Sequence, residues 1–353
     1  MTAHQLGKPC EDASAWKGAV MAGRTDWIWQ LSDSEIDEIE HALSVARAAG
    51  GSIPGLTKAQ FPLTKVAERL KSLRDEVMHG RGFTLVRGLP IERYSTADAA
   101  LIYWGIGLYL GEAYAQNAQG DLLGHVRDLR ADYKSDMRAR GYQTRSMLPF
   151  HNDSQDIVGL LCLRRAKEGG LSRIVSSTAV HNAVLERRPD LYKVLSEPFC
   201  IDRRGEEPEG KAPYYKGAPF EVLDGRLFIR FNRTFYESAQ RHPGVPPLTE
   251  GQKQAIDLMD ELCNDPEYYL QMDLMPGDMQ FVNNYVVLHS RTEYEDWPEP
   301  ERKRHLLRLW LRTGAYPKIP ASYLERYGDM RAWQQTPKAP IFDVTEIHTE
   351  LAH

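Results

Sequence analysis

The sequence predicts an α+β fold in which helices brace a β-barrel or jelly roll. Three observations point there. The first third of the chain reads as amphipathic helices, the texture changes near residue 150 to short β-branched and aromatic runs cut by Gly, Pro and Asp, and further helical patterns interrupt those runs. No Pro/Ser/Gly linker marks the change and no internal repeat is visible. The expectation is therefore one domain over 1–353, with a mostly helical bracing region at 1–115, a jelly-roll core with a helical insert at 150–313, and a wrapping tail at 314–353.

The helices come first. Ser32 and Glu35 stand at capping-box spacing, Ile36, Ile39, Leu43 and Ala46 recur on one face, and Gly50-Gly51 ends the run. Val66, Leu70, Leu73 and Val77 mark a second helix before Gly80, and residues 83–86 follow as a strand. A third helix covers 97–110. Its Gly105-Ile106-Gly107 lacks the preceding strand and third glycine of a dinucleotide loop, so close helix packing is the reading adopted. Further on, 157–163, 281–288 and 306–311 read as strands, and 220–223 with 227–231 flank Asp224-Gly225, a strong hairpin signal. Helical patterns interrupt them near 179–187 and over 249–263, the latter with Ile256, Met259 and Cys263 on one side. Beyond Tyr316 the chain is polar and interrupted by proline.

Composition narrows the function. A chain of 353 residues with 42% hydrophobic content can bury a large core without disulfides. Lys and Arg total 44 against 49 Asp and Glu, and a net charge of -5 creates no field that would gather nucleic acid or an anionic membrane. The four cysteines, Cys10, Cys162, Cys200 and Cys263, form no C-x-x-C pair and read as reduced packing residues. Residues 1–6 lack a basic stretch leading into an apolar one, and no apolar run approaches spanning length, so a cytoplasmic location is expected.

The chemistry concentrates in three places. His151-Asn152-Asp153 precedes a strand, and positions 151 and 153 of an extended backbone project to the same side. An imidazole and a carboxylate so placed are two thirds of a 2-His-1-carboxylate facial triad, which leaves three metal positions open; a surface turn with Asp153 as a cap fits the same tripeptide. His289 stands at the end of the apolar run 281–288, where either a ligand or a core histidine bonded to a carbonyl could sit. Arg304, Arg308 and Arg312 recur at intervals of four. A helix with a solvated basic face has that spacing too, but the alternation of Leu307, Leu309 and Leu311 with Arg308, Trp310 and Arg312 favours a strand, whose inward arginines require anions.

Together these pieces resemble the taurine dioxygenase (TauD/TfdA-type) family of iron(II)/2-oxoglutarate-dependent dioxygenases, which includes clavaminate synthase-like members. The resemblance covers residues 80–313: H-x-D at His151 and Asp153, Gly169-Gly170-Leu171-Ser172 where the family carries Gly-Gly-x-Thr, the distant His289, and R-x-x-x-R at Arg304 and Arg308. It implies a double-stranded β-helix, with His151, Asp153 and His289 as iron(II) ligands. Arg304 would clamp the distal carboxylate of 2-oxoglutarate, with Ser172 standing in for the family threonine. Arg308 would lie nearer the metal, against the inner carboxylate or an anionic substrate group. A guanidinium fork suits these tasks because it stays charged and matches a carboxylate with two hydrogen bonds. Related halogenases carry a small residue where Asp153 stands, so the carboxylate points to oxygen chemistry.

The implied reaction consumes 2-oxoglutarate and O₂, releases succinate and CO₂, and oxidises a substrate C–H bond. Hydroxylation is the default; desaturation, ring formation and bond cleavage are open to the same machinery. Asn117, Tyr142, Gln143 and Arg233 flank the metal strand as candidate substrate contacts, Arg233 and Arg308 suggesting a small carboxylate-bearing molecule, while Gly141 could hinge a lid over the charged segment 131–140. Members of the family frequently associate through their helical parts, so a homo-oligomer is an expectation to be tested. Two other classes stay open: a metal- and 2-oxoglutarate-binding sensor without turnover, and a zinc hydrolase using His151, Asp153 and His181 or His242. The latter lacks an H-E-x-x-H helix and leaves Arg304 unexplained.

Overall fold

Two antiparallel-rich sheets form the core of the computed structural model, which describes residues 4–130 and 141–335. In the larger, Ile28–Gln30, Phe83–Arg87, Met279–Asn283, Ile157–Arg164, His305–Arg312 and Glu112–Ala113 lie side by side in that order, and Leu123–Val126 also pairs along His305–Arg312. The smaller runs Tyr269–Met272, Ser172–Ser176, Val287–Arg291, Leu148–His151. Side chains of both sheets line one cavity, so they enclose an interior in the manner of a jelly roll.

Helices cover both outer faces. Against the larger sheet pack Asp33–Ala48, Lys65–His79 and Thr96–Leu110, joined with it in one apolar cluster. The last is apolar nearly all round, as a helix buried between sheet and helices must be. A β-carbon on Gly105 would stand 2.4 Å from the Phe61 ring, and one on Gly107 would stand 2.8 Å from Leu309, so these glycines serve close packing. Against the smaller sheet, Ser177–Arg187, Pro189–Leu195 and Glu250–Asn264 form a second cluster with Phe150, Val175 and Leu288. The Ser32/Glu35 capping box is formed, and Thr249 makes another with Gln252. Asp224 and Gly225 turn the hairpin Phe220–Leu223/Arg226–Ile229 with φ of 49° and 70°, the left-handed pair that a two-residue turn needs.

One expectation is corrected. The run 281–288 is not one strand: the chain leaves the larger sheet at Asn283 and enters the smaller at Val287. Asn283 makes the switch, its Oδ1 accepting from the Tyr285 amide at 2.9 Å while its Nδ2 donates to the Val77 carbonyl at 3.1 Å. An unbroken apolar run conceals this because both strands are buried on both faces. The segment after Tyr316 contains the helix Ala321–Gln335, which buries Tyr323, Tyr327, Met330 and Trp333 at helical spacing. The rest of that tail, 336–353, and the charged segment 131–140 of the expected lid lie outside the described residues. Among the described residues, no helix is long and apolar enough to cross a membrane, and all four cysteines are free thiols.

Burial sets an acid limit on the fold. His125 and His181 are desolvated, which brings each down to about 4 from 6.5, so both are neutral in the native state. The unfolded chain takes up these protons near pH 6.5 and the native state does not until about pH 4, so these two histidines add no pH dependence above 6.5 and cost stability as pH drops between these values. The urea midpoint should follow that profile, and His181→Gln should flatten the slope.

Candidate active site

His151 ends the edge strand of the smaller sheet and stands directly across from His289 on the neighbouring strand, their Cα atoms forming a register pair. Cross-strand partners share a face. The two imidazoles therefore meet, ring centroids 4.4 Å apart. Asp153 lies two residues past His151, beyond the strand end, and its carboxylate turns back to within 3.9 Å of His151 Nε2 through Oδ1 and 3.8 Å of His289 Nε2 through Oδ2. Among the described residues these three form the one cluster able to hold a metal ion, with their donor atoms all within 4.8 Å of one another.

The loop that carries Asp153 is stitched to the turn between the sheets. Asn152 donates to the carbonyls of Ile229 at 2.5 Å and Asn284 at 2.6 Å and accepts from the Phe231 amide at 3.0 Å. Asn284 in turn accepts from the Asp153 amide at 3.0 Å and donates to the Gln155 carbonyl at 2.8 Å. The residue between the two donors and the residue at the sheet switch thus fix each other.

Electrostatics make the set a good metal trap. Burial pushes His289 down to about 3, helped by His151 beside it, and burial likewise lowers His151. Burial opposes ionisation of Asp153, but Arg308, His289 and His151 outweigh it and hold the carboxyl below its usual range. His151 Nδ1 bonds the Pro149 carbonyl at 2.9 Å, which places the proton there and leaves the Nε2 lone pair for the centre. Two neutral imidazoles and one carboxylate suit a six-coordinate ferrous ion with three positions open.

Arginines surround this centre. Arg308 stands 3.6 Å from Asp153 Oδ2, is gripped through Nε by Gln116 Oε1 at 2.7 Å, and lies over the rings of Tyr142 at 4.4 Å and Trp310 at 4.9 Å. Trp310 Nε1 donates to Asp153 Oδ2 at 2.8 Å. Deeper between the sheets, one cavity is lined by His151, Ser172, His289, Arg291, Arg304 and Arg308. Arg304 is buried, and among the described residues its Nη1 has no hydrogen-bond partner. Gly170, at φ 69°, lets it in: a β-carbon there would stand 3.0 Å from Arg304 Nε. The Ser172 hydroxyl lies in the same cavity and donates to Gln280 at 3.1 Å. The arrangement can hold a cation with open positions beside an anion.

The expected substrate contacts divide. Tyr142 lines the pocket in front of the three donors. Asn117 and Gln143 line a neighbouring cavity instead, and Asn117 closes its own loop through Asp121 at 2.6 Å. Arg233 is a correction: it opens a helix and pairs with Glu237, Asp257 and Asp260 at 2.7, 2.7 and 2.9 Å, while the adjacent Asn232 and Thr234 line the pocket. Sequence reasoning missed Gln116, Glu206, Trp310 and Arg326, which also line it, and Arg291 behind it. Only Arg291 and Trp310 carried a visible signal, each standing two residues from a residue already singled out. His181 and His242 bond Tyr192 at 3.1 Å and Asp202 at 3.0 Å and stand apart from the cluster.

Residues 49–310 match the family described as Taurine catabolism dioxygenase TauD, TfdA family. The chain is 33% identical over 330 residues to FR-33289 synthase of Streptomyces rubellomurinus, spanning 93% of this chain and 97% of that one. Its fold resembles that of asparagine oxygenase bound to Fe(II), 2S,3S-3-hydroxyasparagine and succinate, with a TM-score of 0.60 at 18% identity over 81% of this chain and 94% of the other. The non-haem iron oxygenase OrfP, bound to Fe, succinate and (3S)-hydroxy-L-Arg, superposes with a TM-score of 0.61 at 16% identity over the same shares, 81% and 94%.

Proposed function

Because this chain belongs to the TauD/TfdA family of iron(II)- and 2-oxoglutarate-dependent dioxygenases, we propose that it hydroxylates an aliphatic C–H bond of a small polar, carboxylate-bearing molecule and releases succinate and CO₂. The observation that carries this reading is the convergence of His151, Asp153 and His289 within 4.8 Å, with Arg308 beside them and further buried arginines behind. The two solved relatives hold hydroxylated amino acids, which supports hydroxylation as the outcome.

The iron would be held by His151, Asp153 and His289, and when bound it supplies the coupling of O₂ reduction and 2-oxoglutarate decarboxylation to C–H oxidation. The chain's residues orient the reactants and exclude water. Arg304 and Ser172 receive the distal carboxylate of 2-oxoglutarate at the inner end of the cavity. Trp310 keeps the Asp153 carboxylate in place through its Oδ2. Arg308, held at its Nε by Gln116 and flanked by two rings, presents its remaining N–H groups to an anion in front of the metal. Tyr142, Asn232 and Thr234 give the substrate pocket polar hydroxyl and amide groups, while Leu148, Phe150 and Phe235 give it apolar surface.

The test is a panel of amino acids, sulfonates, betaines and other small acids, scored for succinate release over the substrate-free rate. A carboxylate-bearing substrate should raise that release at least about tenfold, one decade being about 1.4 kcal/mol of barrier. A response confined to molecules that carry no carboxylate or other anionic group would overturn the substrate class, and no response with iron and 2-oxoglutarate bound would favour a sensor.

A further inference from the structure

We propose that Arg291 is a second clamp on the distal carboxylate of 2-oxoglutarate, acting beside Arg304; this rests on the reading of the cavity as the cosubstrate site. Arg291 follows His289 by two positions on the strand Val287–Arg291, so both side chains leave the same face. Its cross-strand partner on one side is Ser172, the residue standing in for the family threonine, and on the other Leu148. Its side chain is buried, at 6% exposure, and lines the cavity with Ser172, His289 and Arg304.

The donors are uncommitted. Arg291 Nη2 donates to the Ser146 carbonyl, but among the described residues its Nε and Nη1 have no hydrogen-bond partner, and neither does Arg304 Nη1. Among the described residues neither guanidinium makes an ion pair. Both lean on the Tyr294 ring, Arg291 at 4.7 Å and Arg304 at 5.1 Å from its centroid, so they approach one region from the same support. Burial, with Arg304 nearby, brings Arg291 down to about 10, which leaves it charged at neutral pH.

Two buried cations with unmet N–H groups are costly unless an anion joins them. A carboxylate offers about four lone-pair sites on two oxygens. Arg291 Nε and Nη1 with Arg304 Nη1 supply three donors for those sites, in the cavity that Ser172 also lines.

The experiment is anaerobic calorimetry on the full-length iron(II)-loaded protein, titrated with 2-oxoglutarate and with 2-oxopentanoate, which keeps the chain length and lacks the distal carboxylate. Arg291→Met should weaken 2-oxoglutarate binding about 10- to 100-fold, as expected for a lost charged hydrogen bond, and leave 2-oxopentanoate binding within about threefold. Arg291→Lys keeps the charge and stem without the fork and should fall between. Parent affinity for 2-oxoglutarate in either variant, or equal weakening of both ligands, would overturn the proposal. Arg304→Met separates the two levels: its loss of 2-oxoglutarate with Arg291→Met unchanged sinks only the role of Arg291, whereas its retention of 2-oxoglutarate sinks the cavity as the cosubstrate site.

Discussion

Alanine at His151 or at Asp153 is expected to abolish 2-oxoglutarate-dependent turnover, a loss of at least about 10³-fold, because each removes a donor from an ion that supplies several kcal/mol to the transition state. The geometry gives no substitute. The donor atoms of His151, Asp153 and His289 are the group within 4.8 Å, and the neighbouring polar groups are cationic or already bonded: Arg308 to Gln116, and Trp310 to Asp153 itself. Asp153→Asn is the sharper variant, since it keeps the size and the indole contact while removing the charge. Iron content and succinate release should fall together in all three. Undiminished turnover without added iron in the alanine variants would end the metal assignment.

Asp156→Ala is expected to destabilise the fold by about 3–5 kcal/mol, because a buried carboxylate that anchors several donors cannot be removed without leaving them unpaired. Asp156 is 3% exposed. Its Oδ1 accepts from the hydroxyls of Tyr285 at 2.6 Å and Tyr327 at 2.9 Å, and its Oδ2 from the Thr313 amide and hydroxyl, each at 2.8 Å. These partners come from the turn between the sheets, the helix Ala321–Gln335, and the end of the strand that carries Arg308. One side chain thus joins the H-x-D loop to three separate elements. Asp156→Asn, which retains an acceptor, should lose less. Denaturant unfolding of the two variants checks both values, and an alanine variant within about 1 kcal/mol of the parent would show that the network adds little, since ordinary surface changes stay near that range.

Much of this was legible in the sequence, for physical reasons. His151 and Asp153 stood out because alternate positions of an extended chain share a side, and the structure brings them to His289, though by a different route: Asp153 reaches the site from a loop held by Asn152 and Asn284 rather than from the strand. Arg304 and Arg308 were readable because Leu307, Leu309 and Leu311 alternate with them in a strand whose two faces are both covered. The sheet switch was hidden because residues 281–288 are apolar on both sides of Asn283-Asn284, and hydrophobicity records burial, not which sheet does the burying. Arg233 misled because it opens a helix and turns its charge to that helix's carboxylates, while Asn232 faces the pocket. Arg291 was overlooked although the two-residue period from His289 pointed to it. Gln116, Glu206 and Arg326 had no local signal, since they reach the pocket only through long-range packing.

The position of His151 on an edge strand bears on how the protein matures. Among the described residues that strand pairs within its sheet only with the strand carrying His289, which lies far along the chain. The ends of that long intervening segment must be brought together before the imidazoles can meet, an entropic cost that slows such distant pairings. Iron capture therefore belongs at the close of assembly, and a chain able to take up the ion has already joined its early and late halves.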